Sequence, residues 1–449
     1  MFHVRDDEPK YAFLNDKPDK GTNVYGKFIQ TIEKSSELYD KSLNINNDDG
    51  IGENPNRYKQ HGFHFTADNC IGCHACEAAC SEKNDNPAHI AFRSVGYVEG
   101  GTYPDFNRVN ISMACNHCDD PVCLKGCPTR AYTKYAEYGA VLQDPDICFG
   151  CGYCTWVCPY NAPQLDPVKG QVSKCNMCVD RLEVGLKPAC VSACLGNALN
   201  FGVIENTPEN REQAKTEIPG FPRTDITNPN IRFQQIKTLP NEMTRTDSMA
   251  IKYHKDKETG SYEPVVDKKN GLKQSWSFDK LRSREDPLVI FTSVSQAVIG
   301  AFLLMFIGNL AGIEAIQKVV NSAAYLPMLF VMLGLEGIAL FLSTMHLGKP
   351  HRFYRAFNNL RYSPVSREVA GIAVFFNSLG AHFVASLIDM EIAQQAAVFF
   401  AYAAAVSGPV AIYFMHKIYR IEARPYWNHW QVFTAFYGNM LTLGGLLTG

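Results

Sequence analysis

Residues 148–159 read CFGCGYCTWVCP, a run of closely spaced cysteines ending in Cys-Pro that decides the fold. Residues 70–80 (CIGCHACEAAC) and 115–128 (CNHCDDPVCLKGCP) repeat the pattern, and residues 175–194 (CNMCVDRLEVGLKPACVSAC) form a fourth group. Three thiolates on a tight loop followed by a fourth is the bacterial ferredoxin arrangement. The 16 cysteines of the chain therefore predict four 4Fe-4S cubane clusters, with no cysteine left over.

Two other uses of these cysteines are less consistent with their spacing. A disulfide framework is disfavoured because cysteines so close in sequence are poorly placed to pair, and because a chain of this size does not depend on disulfide bonds for its stability. Four structural zinc sites would also use sixteen thiolates, but such sites usually combine two close pairs rather than three thiols on one short loop. The spacing therefore favours iron and sulfide.

Hydropathy divides the chain into two parts, although the net charge of −2 and the mean hydropathy of −0.16 conceal it. The cysteines lie in a polar part, and beyond Pro287 the sequence becomes long apolar runs without cysteine. About twenty apolar residues cross a bilayer as a helix, so successive runs of that length predict membrane spans rather than buried core helices. The candidate spans are Leu288–Leu310, Tyr325–Met345, Val369–Ile388, Ala396–Met415 and a last run, Gln431–Gly449.

Four segments follow from these patterns. We expect a polar N-terminal extension (1–60), a four-cluster ferredoxin-like domain (61–205), an extended linker (206–285) and a membrane anchor of four to five helices (286–449). Residues 89–115 alternate around a Gly-Gly turn and predict a hairpin, and residues 131–148 predict a short strand pair. The charge run in the linker predicts a solvated face, and the absence of a net basic patch argues against nucleic-acid binding.

Residues 144–206, from DPDICFGCGYC to NALNFGVIEN, resemble the four-cluster iron–sulfur subunit of dimethyl sulfoxide reductase and its relatives, and CNHCDDPVCLKGCP matches the same family. The resemblance implies that three cysteines of one group share a cluster with the last cysteine of another. The implied sets are Cys70, Cys73, Cys76 with Cys194; Cys175, Cys178, Cys190 with Cys80; Cys115, Cys118, Cys123 with Cys158; and Cys148, Cys151, Cys154 with Cys127. Ser81 and Leu195 stand where proline follows the last cysteine of the other two groups.

The loop HLGKPHRFYRAFNNLRYSPVSRE, residues 346–368, resembles the membrane anchor of the same enzymes. Relatives have eight spans, so the chain resembles a fusion of the iron–sulfur subunit to about the first half of an anchor, and we expect the anchor to be incomplete. The resemblance places His346, Glu368 and Arg352 at a quinol site for menaquinol or ubiquinol. The alternative for His346 and Glu368 is that they cap or flank helices. Glu336 and His382 lie within predicted spans, where an ionisable side chain is costly, and are therefore further candidates for functional residues. His382 is also suited to bond a neighbouring helix carbonyl.

These features predict an α+β double ferredoxin-like iron–sulfur domain followed by an all-α transmembrane helical bundle. The resemblance implies a non-catalytic electron-transfer subunit that passes electrons from the membrane quinone pool to a separate molybdopterin catalytic subunit. Its substrate would be dimethyl sulfoxide, another oxide, nitrate or a sulfur compound, and reversed electron flow stays open. The alternative is a membrane-tethered ferredoxin-like module that uses soluble partners without quinone chemistry.

Orientation is predicted from the loops. Basic residues gather after the second and fourth spans, and the opposite loops carry almost none. They are Lys349, Arg352, Arg355, Arg361, Arg367, Lys417, Arg420 and Arg424. The positive-inside rule and the absence of a visible signal peptide then predict a multi-pass protein of the inner membrane with its cluster domain in the cytoplasm.

Overall fold

The computed structural model describes residues 57–100, 106–204, 221–234, 251–255, 262–266 and 285–448. Nearly all of the predicted N-terminal extension and most of the predicted linker lie outside these described residues. The iron–sulfur part consists of short strands and helices joined by cysteine-bearing loops. In chain order they are β1 (His61–Thr66), α1 (Ala75–Lys83), β2 (Arg93–Gly100), β3 (Asn107–Ala114), α2 (Val122–Gly126), β4 (Tyr132–Lys134), β5 (Val141–Gln143), α3 (Tyr153–Val157), β6 (Gln164–Asp166), β7 (Gln171–Ser173), α4 (Val179–Glu183), α5 (Ala189–Ser192), β8 (Leu199–Val203) and β9 (Ile231–Gln234).

The central sheet of the cluster domain has the strand order β8-β1-β9. Strand β1 pairs antiparallel with β8 and parallel with β9, so a segment of the predicted linker returns to complete the sheet. Phe63, Phe65 and Phe233 are almost fully buried in the core beside this sheet. Apolar packing around the sheet thus closes one end of a domain whose remaining interior is lined by cysteines.

Four two-stranded ladders lie outside this sheet. The predicted hairpin over residues 89–115 is confirmed as β2 and β3, which pair from Arg93 with Ala114 to Gly100 with Asn107. The predicted strand pair over 131–148 is confirmed as β4 and β5, and β6 pairs with β7. The fourth ladder joins β10 (Ile251–Lys255) to β11 (Tyr262–Val266), so part of the predicted linker is regular structure.

Helices form the whole membrane part. They are α6 (Asp286–Leu310), α7 (Glu314–Val320), α8 (Tyr325–Met345), a 3₁₀ segment (Pro350–Asn359), α9 (Pro364–Ser386), α10 (Glu391–Tyr419) and α11 (Trp430–Thr448). Helices α6, α8, α9 and α10 are the four described helices long and apolar enough to cross a membrane. The last predicted span is helical as α11, which is not among those four.

Helix α9 begins five residues earlier than the predicted span because its start is strongly marked. Ser363 is the N-cap and its side chain accepts a hydrogen bond from Ser366 N, while Pro364 occupies the first helical position, where its missing N–H costs nothing. Glu368 therefore lies inside the first turns of the helix rather than in the preceding loop.

The bundle packs through small residues at close helix crossings. A Cβ atom on Gly300 of α6 would lie 1.8 Å from Met440 O of α11, so only glycine permits this approach. Between α6 and α8, the Ser295 hydroxyl donates a hydrogen bond of 2.8 Å to the buried Glu336 carboxylate. The contacts hold these helices at fixed positions beneath the cluster domain.

Candidate cluster sites and their joint with the membrane helices

The structure gathers the 16 cysteines into four sets whose members come from different parts of the chain. Thiols of each set line a shared space or lie close enough to interact electrostatically. We name them site A (Cys70, Cys73, Cys76, Cys194), site B (Cys80, Cys175, Cys178, Cys190), site C (Cys115, Cys118, Cys123, Cys158) and site D (Cys127, Cys148, Cys151, Cys154). These sets are the same as those implied by the family resemblance, and iron ligation by them stays a prediction.

The four sites follow one another in a row. Cys76 of site A interacts electrostatically with Cys190 of site B. Cys175 of site B interacts in the same way with Cys115 of site C, and Cys123 of site C with Cys154 of site D. Their order through the domain is therefore A, B, C and D.

The chemistry of the thiols fits an iron–sulfur cluster. Burial, together with neighbouring sulfurs, raises the pKa of Cys158 and Cys175 to about 11 and that of Cys178 to about 12. Gathered thiolates therefore need a positive group among them, which iron supplies. In the described part of the chain, no three His, Cys, Asp or Glu side chains are grouped closely enough to hold a single metal ion.

Buried donors around the sites also fit acceptor atoms at the sites. Within the described residues, Arg93 Nε and Nη2, Asn116 Nδ2 and the Tyr132 hydroxyl are buried without a nitrogen or oxygen hydrogen-bond partner. Arg93 lies near Cys76 and Cys190, Asn116 lines the space at site C, and Tyr132 lies beside Cys154 of site D. Sulfide and thiolate sulfurs accept hydrogen bonds from such groups, and these bonds tune a cluster.

Site D is the site that meets the membrane helices. Helix α2 ends just before Cys127, which leaves its last carbonyls without helical partners. Asn359 Nδ2 donates to Lys125 O at 3.1 Å and to Cys127 O at 2.8 Å, and the buried Ser363 hydroxyl donates to Gly126 O at 2.7 Å. The loop between α8 and α9 therefore caps a cluster-domain helix.

The second half of this joint is formed by basic side chains. Arg352 Nη1 donates to the carbonyl oxygens of Asp146 at 2.6 Å and of Cys148 at 3.3 Å. Lys349 Nζ donates to Gln171 Oε1 at 2.7 Å. Arg355 also donates to Asp146 O. Several of the basic residues in this loop thus bind backbone atoms that lead into site D.

Backbone packs directly on backbone where three glycines meet. A Cβ atom on Gly348 would lie 2.2 Å from Gly170 O, and one on Gly150 would lie 2.4 Å from the same oxygen. Beside them Lys349 N donates to Phe149 O at 3.0 Å. The α8–α9 loop therefore approaches the Cys148–Cys151 loop more closely than any side chain would allow.

Aromatic side chains complete the joint at the ends of α9 and α10. Tyr153 and Trp156 of α3 pack with Tyr419, and the rings of Trp156 and Trp427 are edge-to-face with centroids 5.7 Å apart. The Tyr153 hydroxyl donates to Ile418 O at 3.4 Å. Tryptophan and tyrosine are the residues enriched at membrane–water interfaces, so this cluster marks the membrane surface.

The predicted quinol residues lie at this joint. His346 is the C-cap of α8, two residues before Gly348, and its Nδ1 lies 2.5 Å from Ser343 O. Because a carbonyl oxygen only accepts, Nδ1 is the donor in this contact. Glu368 is buried in α9 and lies close to Tyr153. Arg352 points to the cluster domain, where it donates to the Cys148 carbonyl.

The two intramembrane candidates lie elsewhere. Glu336 is buried at mid-helix and accepts from Ser295. His382 Nε2 lies within hydrogen-bond distance of the Tyr325 hydroxyl, at 2.9 Å, and its Nδ1 lies 2.8 Å from Ala397 O. His382 therefore bonds a carbonyl of the neighbouring helix α10, which was one of the two roles expected for it. Both residues lie away from the joint at site D.

The opposite end of the row is exposed. Cys73 of site A is exposed, and the neighbouring Ile71 and Leu195 are 68% and 78% exposed. Site A therefore lies at the surface of the described part of the cluster domain.

Four cysteine sites in a row, joined to apolar helices, define a membrane-anchored iron–sulfur electron-transfer protein. The family models described as 4Fe-4S dicluster domain and DMSO reductase anchor subunit match residues 107–204 and 282–449. Over 180 residues the sequence is 39% identical to one component of the anaerobic dimethyl sulfoxide reductase of Escherichia coli strain K12, a match that covers 38% of this chain and 87% of that protein. This chain is thus a member of the family of dimethyl sulfoxide reductase iron–sulfur subunits, and its second part matches the anchor family model.

Two further relatives are named for other substrates. One subunit of the sulfite dehydrogenase of Allochromatium vinosum is 35% identical over 207 residues, which are 40% of this chain and 86% of that protein. The iron–sulfur subunit of the nitrate-inducible formate dehydrogenase of Escherichia coli is 37% identical over 179 residues, 36% of this chain and 60% of that protein. The predicted fold class, the fusion of an iron–sulfur part to an anchor and the electron-transfer role in a membrane protein are confirmed.

Proposed function

We propose that this chain carries electrons from membrane quinol through four 4Fe-4S clusters at sites A to D to a separate molybdopterin catalytic subunit. The carrying observation is the arrangement of the row: site D is bonded to the α8–α9 loop, while site A ends at an exposed surface. The first and last sites therefore have different neighbours, as a conductor between two partners requires.

The quinol site that we propose lies between His346 and Glu368. Oxidation of a quinol releases two electrons and two protons, so a site needs two bases and one path for single electrons. His346 and Glu368 would accept the two protons, since an imidazole and a carboxylate are both proton acceptors. Arg352 holds this loop against the carbonyls next to site D. Cys148 and the other thiols of site D would hold the iron–sulfur cluster nearest to this site, and that cluster would supply the one-electron chemistry that quinol oxidation requires.

The partner at site A is proposed from the relatives. The dimethyl sulfoxide reductase protein named above is one component of its enzyme, and the formate dehydrogenase protein is a subunit. Since the anchor part matches the dimethyl sulfoxide reductase anchor, we propose a reductase of an oxide or sulfur compound, with electrons flowing away from quinol. The molybdopterin subunit would cover Ile71, Cys73 and Leu195.

Orientation is proposed with the cluster domain in the cytoplasm. The excess of basic residues after α8 supports this orientation through the positive-inside rule. Lys349, Arg352 and Arg355 also form hydrogen bonds to the cluster domain, so these three have a structural role besides any effect on orientation. Labelling of single cysteines introduced into the α6–α8 connection from either side of intact vesicles tests this orientation. Labelling from the cytoplasmic side would contradict it.

The quinol assignment is tested by the variants His346→Asn and Glu368→Gln. We expect the rate at which a quinol analogue reduces the clusters in membranes to fall roughly 100-fold or more, because each variant removes a proton acceptor. His351→Asn is the matched control, since His351 is exposed in the same loop. Rates equal to that control, with soluble donors still reducing the clusters, would favour the tethered ferredoxin-like module instead.

A further inference from the structure

Two buried cations lie between cysteine sites rather than beside one site. Arg93 on β2 is 2% exposed, and Lys174 after β7 is 6% exposed. In the described part of the chain neither forms an ion pair with a carboxylate. A charge buried without a carboxylate partner is costly unless other negative groups compensate it. The negative groups available to both are the sulfurs.

Lys174 connects sites B and C. Its Nζ lies 3.5 Å from Cys115 Sγ of site C and donates to Cys175 O of site B at 3.0 Å. It also donates to Val141 O, so each of its three N–H groups has an acceptor. Cys123 of site C and Cys175 of site B also lie close enough to interact electrostatically with this group. The Lys174 ammonium group therefore lies between sites B and C.

Arg93 connects sites A and B. Its Nη1 donates to the Ser112 hydroxyl at 3.1 Å, and that hydroxyl lies 3.2 Å from Cys76 Sγ of site A. The guanidinium stacks on Phe63, 4.4 Å from the ring centre. Its charge interacts with Cys190 and Cys175 of site B as well as with Cys76, while Nε and Nη2 have no nitrogen or oxygen partner among the described residues. Two donors are thus directed into the space between sites A and B.

Site D differs from the other three. The sulfurs that interact with Arg93 or Lys174 belong to sites A, B and C, and the side chain that lies beside Cys154 of site D is the neutral Tyr132. Site B alone interacts with both cations, through Cys175. The charge of these two buried cations is therefore uneven along the row and greatest at site B.

We propose that Arg93 and Lys174 set the order of reduction potentials along the row, with Arg93 raising those at sites A and B, and Lys174 those at sites B and C. This inference rests on the proposed four-cluster function. An electron that arrives at a site comes from its neighbour, which is oxidised by one electron. The receiving site gains one negative charge, and no proton leaves Arg93 or Lys174. A fixed buried cation favours the more negative state and so raises the potential.

The experiment is a redox titration of the full chain in membranes, followed by electron paramagnetic resonance at low temperature. Serine variants of one ligand in each set assign the signals to the sites. They are Cys73→Ser, Cys178→Ser, Cys118→Ser and Cys151→Ser. We expect Lys174→Met to lower the midpoint potentials at sites B and C, and Arg93→Gln to lower those at sites A and B. Site D keeps its potential in both, and the double variant shifts site B by about the sum of the two single shifts.

Three controls separate charge from structural damage. Arg93→Lys keeps the charge and restores most of the potential at sites A and B. Lys169→Met removes an exposed cation of the same domain and leaves all four potentials unchanged because solvent screens it. Iron and acid-labile sulfide content shows that each variant is fully loaded. Equal shifts at all four sites, or no shift in a fully loaded variant, would overturn this inference alone. A wild-type protein without four clusters would overturn the proposed function and this inference together.

Discussion

The contact between Gly348, Gly150 and Gly170 permits a sharp test of how the cluster domain meets the membrane helices. In Gly348→Ala the new Cβ would lie 2.2 Å from Gly170 O, whereas ordinary contact begins at 3.4 Å. The two loops must therefore separate by more than about 1 Å, at an overpacking cost of about 1–3 kcal/mol. The φ angle of Gly348 is not in the left-handed region, so the variant tests steric contact without backbone strain.

Hydrogen exchange at the Lys349 amide measures this separation, because that amide donates to Phe149 O across the contact. A loss of about 1–3 kcal/mol corresponds to exchange that is roughly 5- to 150-fold faster at this amide. Gly334→Ala is the matched control, since a Cβ atom there meets nothing within 4 Å. If the Lys349 amide exchanges equally slowly in both variants, the close contact between the two loops is wrong.

Three further outcomes are expected. Asn359→Ala removes the donors to the carbonyls of Lys125 and Cys127, so hydrogen exchange in α2 should show docking weakened by about 1–3 kcal/mol. Asn358→Ala, at an exposed neighbouring position, should leave this exchange unchanged. Identical exchange in the two variants would refute the capping role of Asn359. Burial lowers the pKa of His61 and His64 to about 4, so the contribution of these neutral rings to the free energy of unfolding is complete above the ordinary pKa of 6.5. That free energy should fall as the pH drops from 6.5 to 4, by about 3 kcal/mol per histidine. A denaturation midpoint that does not change between pH 6.5 and 4 would contradict this expectation. Anaerobic removal of iron by a chelator should abolish the circular dichroism of the cluster domain but spare most of the helical signal of α6 to α10, and an unchanged strand signal would show that the clusters are not needed for folding.

Cysteine spacing carried much of the prediction because ligation imposes short, fixed separations on a loop. The groups at Cys70 and Cys148 needed no other part of the chain to be recognised, and apolar length alone predicted α6 and α8. Pairing between the groups depends on contacts between residues as distant as Cys80 and Cys175. Spacing within a group carries no information on such contacts, so the pairing came from the family resemblance.

The joint and the buried cations were not predicted, for different physical reasons. Asn359 and Ser363 recognise backbone carbonyls, which every sequence has, so no partner residue reveals them. Gly150, Gly170 and Gly348 meet only after the loops are placed. Lys174 offered one signal, a cation directly before Cys175, but lysine beside cysteine is common at surfaces. Arg93 lies in an otherwise ordinary strand, and only its burial sets it apart.

Arg352 is predicted at a quinol site, and this stays a prediction; the structure shows its guanidinium donating to the Cys148 carbonyl. The same residue type serves either purpose, because a guanidinium donates equally well to a ligand oxygen and to a peptide oxygen. The family motif alone therefore does not reveal the backbone contact that Arg352 makes.

The α8–α9 loop and the Cys148–Cys151 loop are parts of one polypeptide, and this changes what their contact must achieve. Two separate subunits would have to find each other at cellular concentration, with an affinity set by the buried area. A covalent connection replaces that encounter by an effective concentration of the order of millimolar for a flexible link. A modest contact of peptide carbonyls, three glycines and a few aromatic rings is then enough to remain closed. Dilution of the protein in detergent should not separate its two parts.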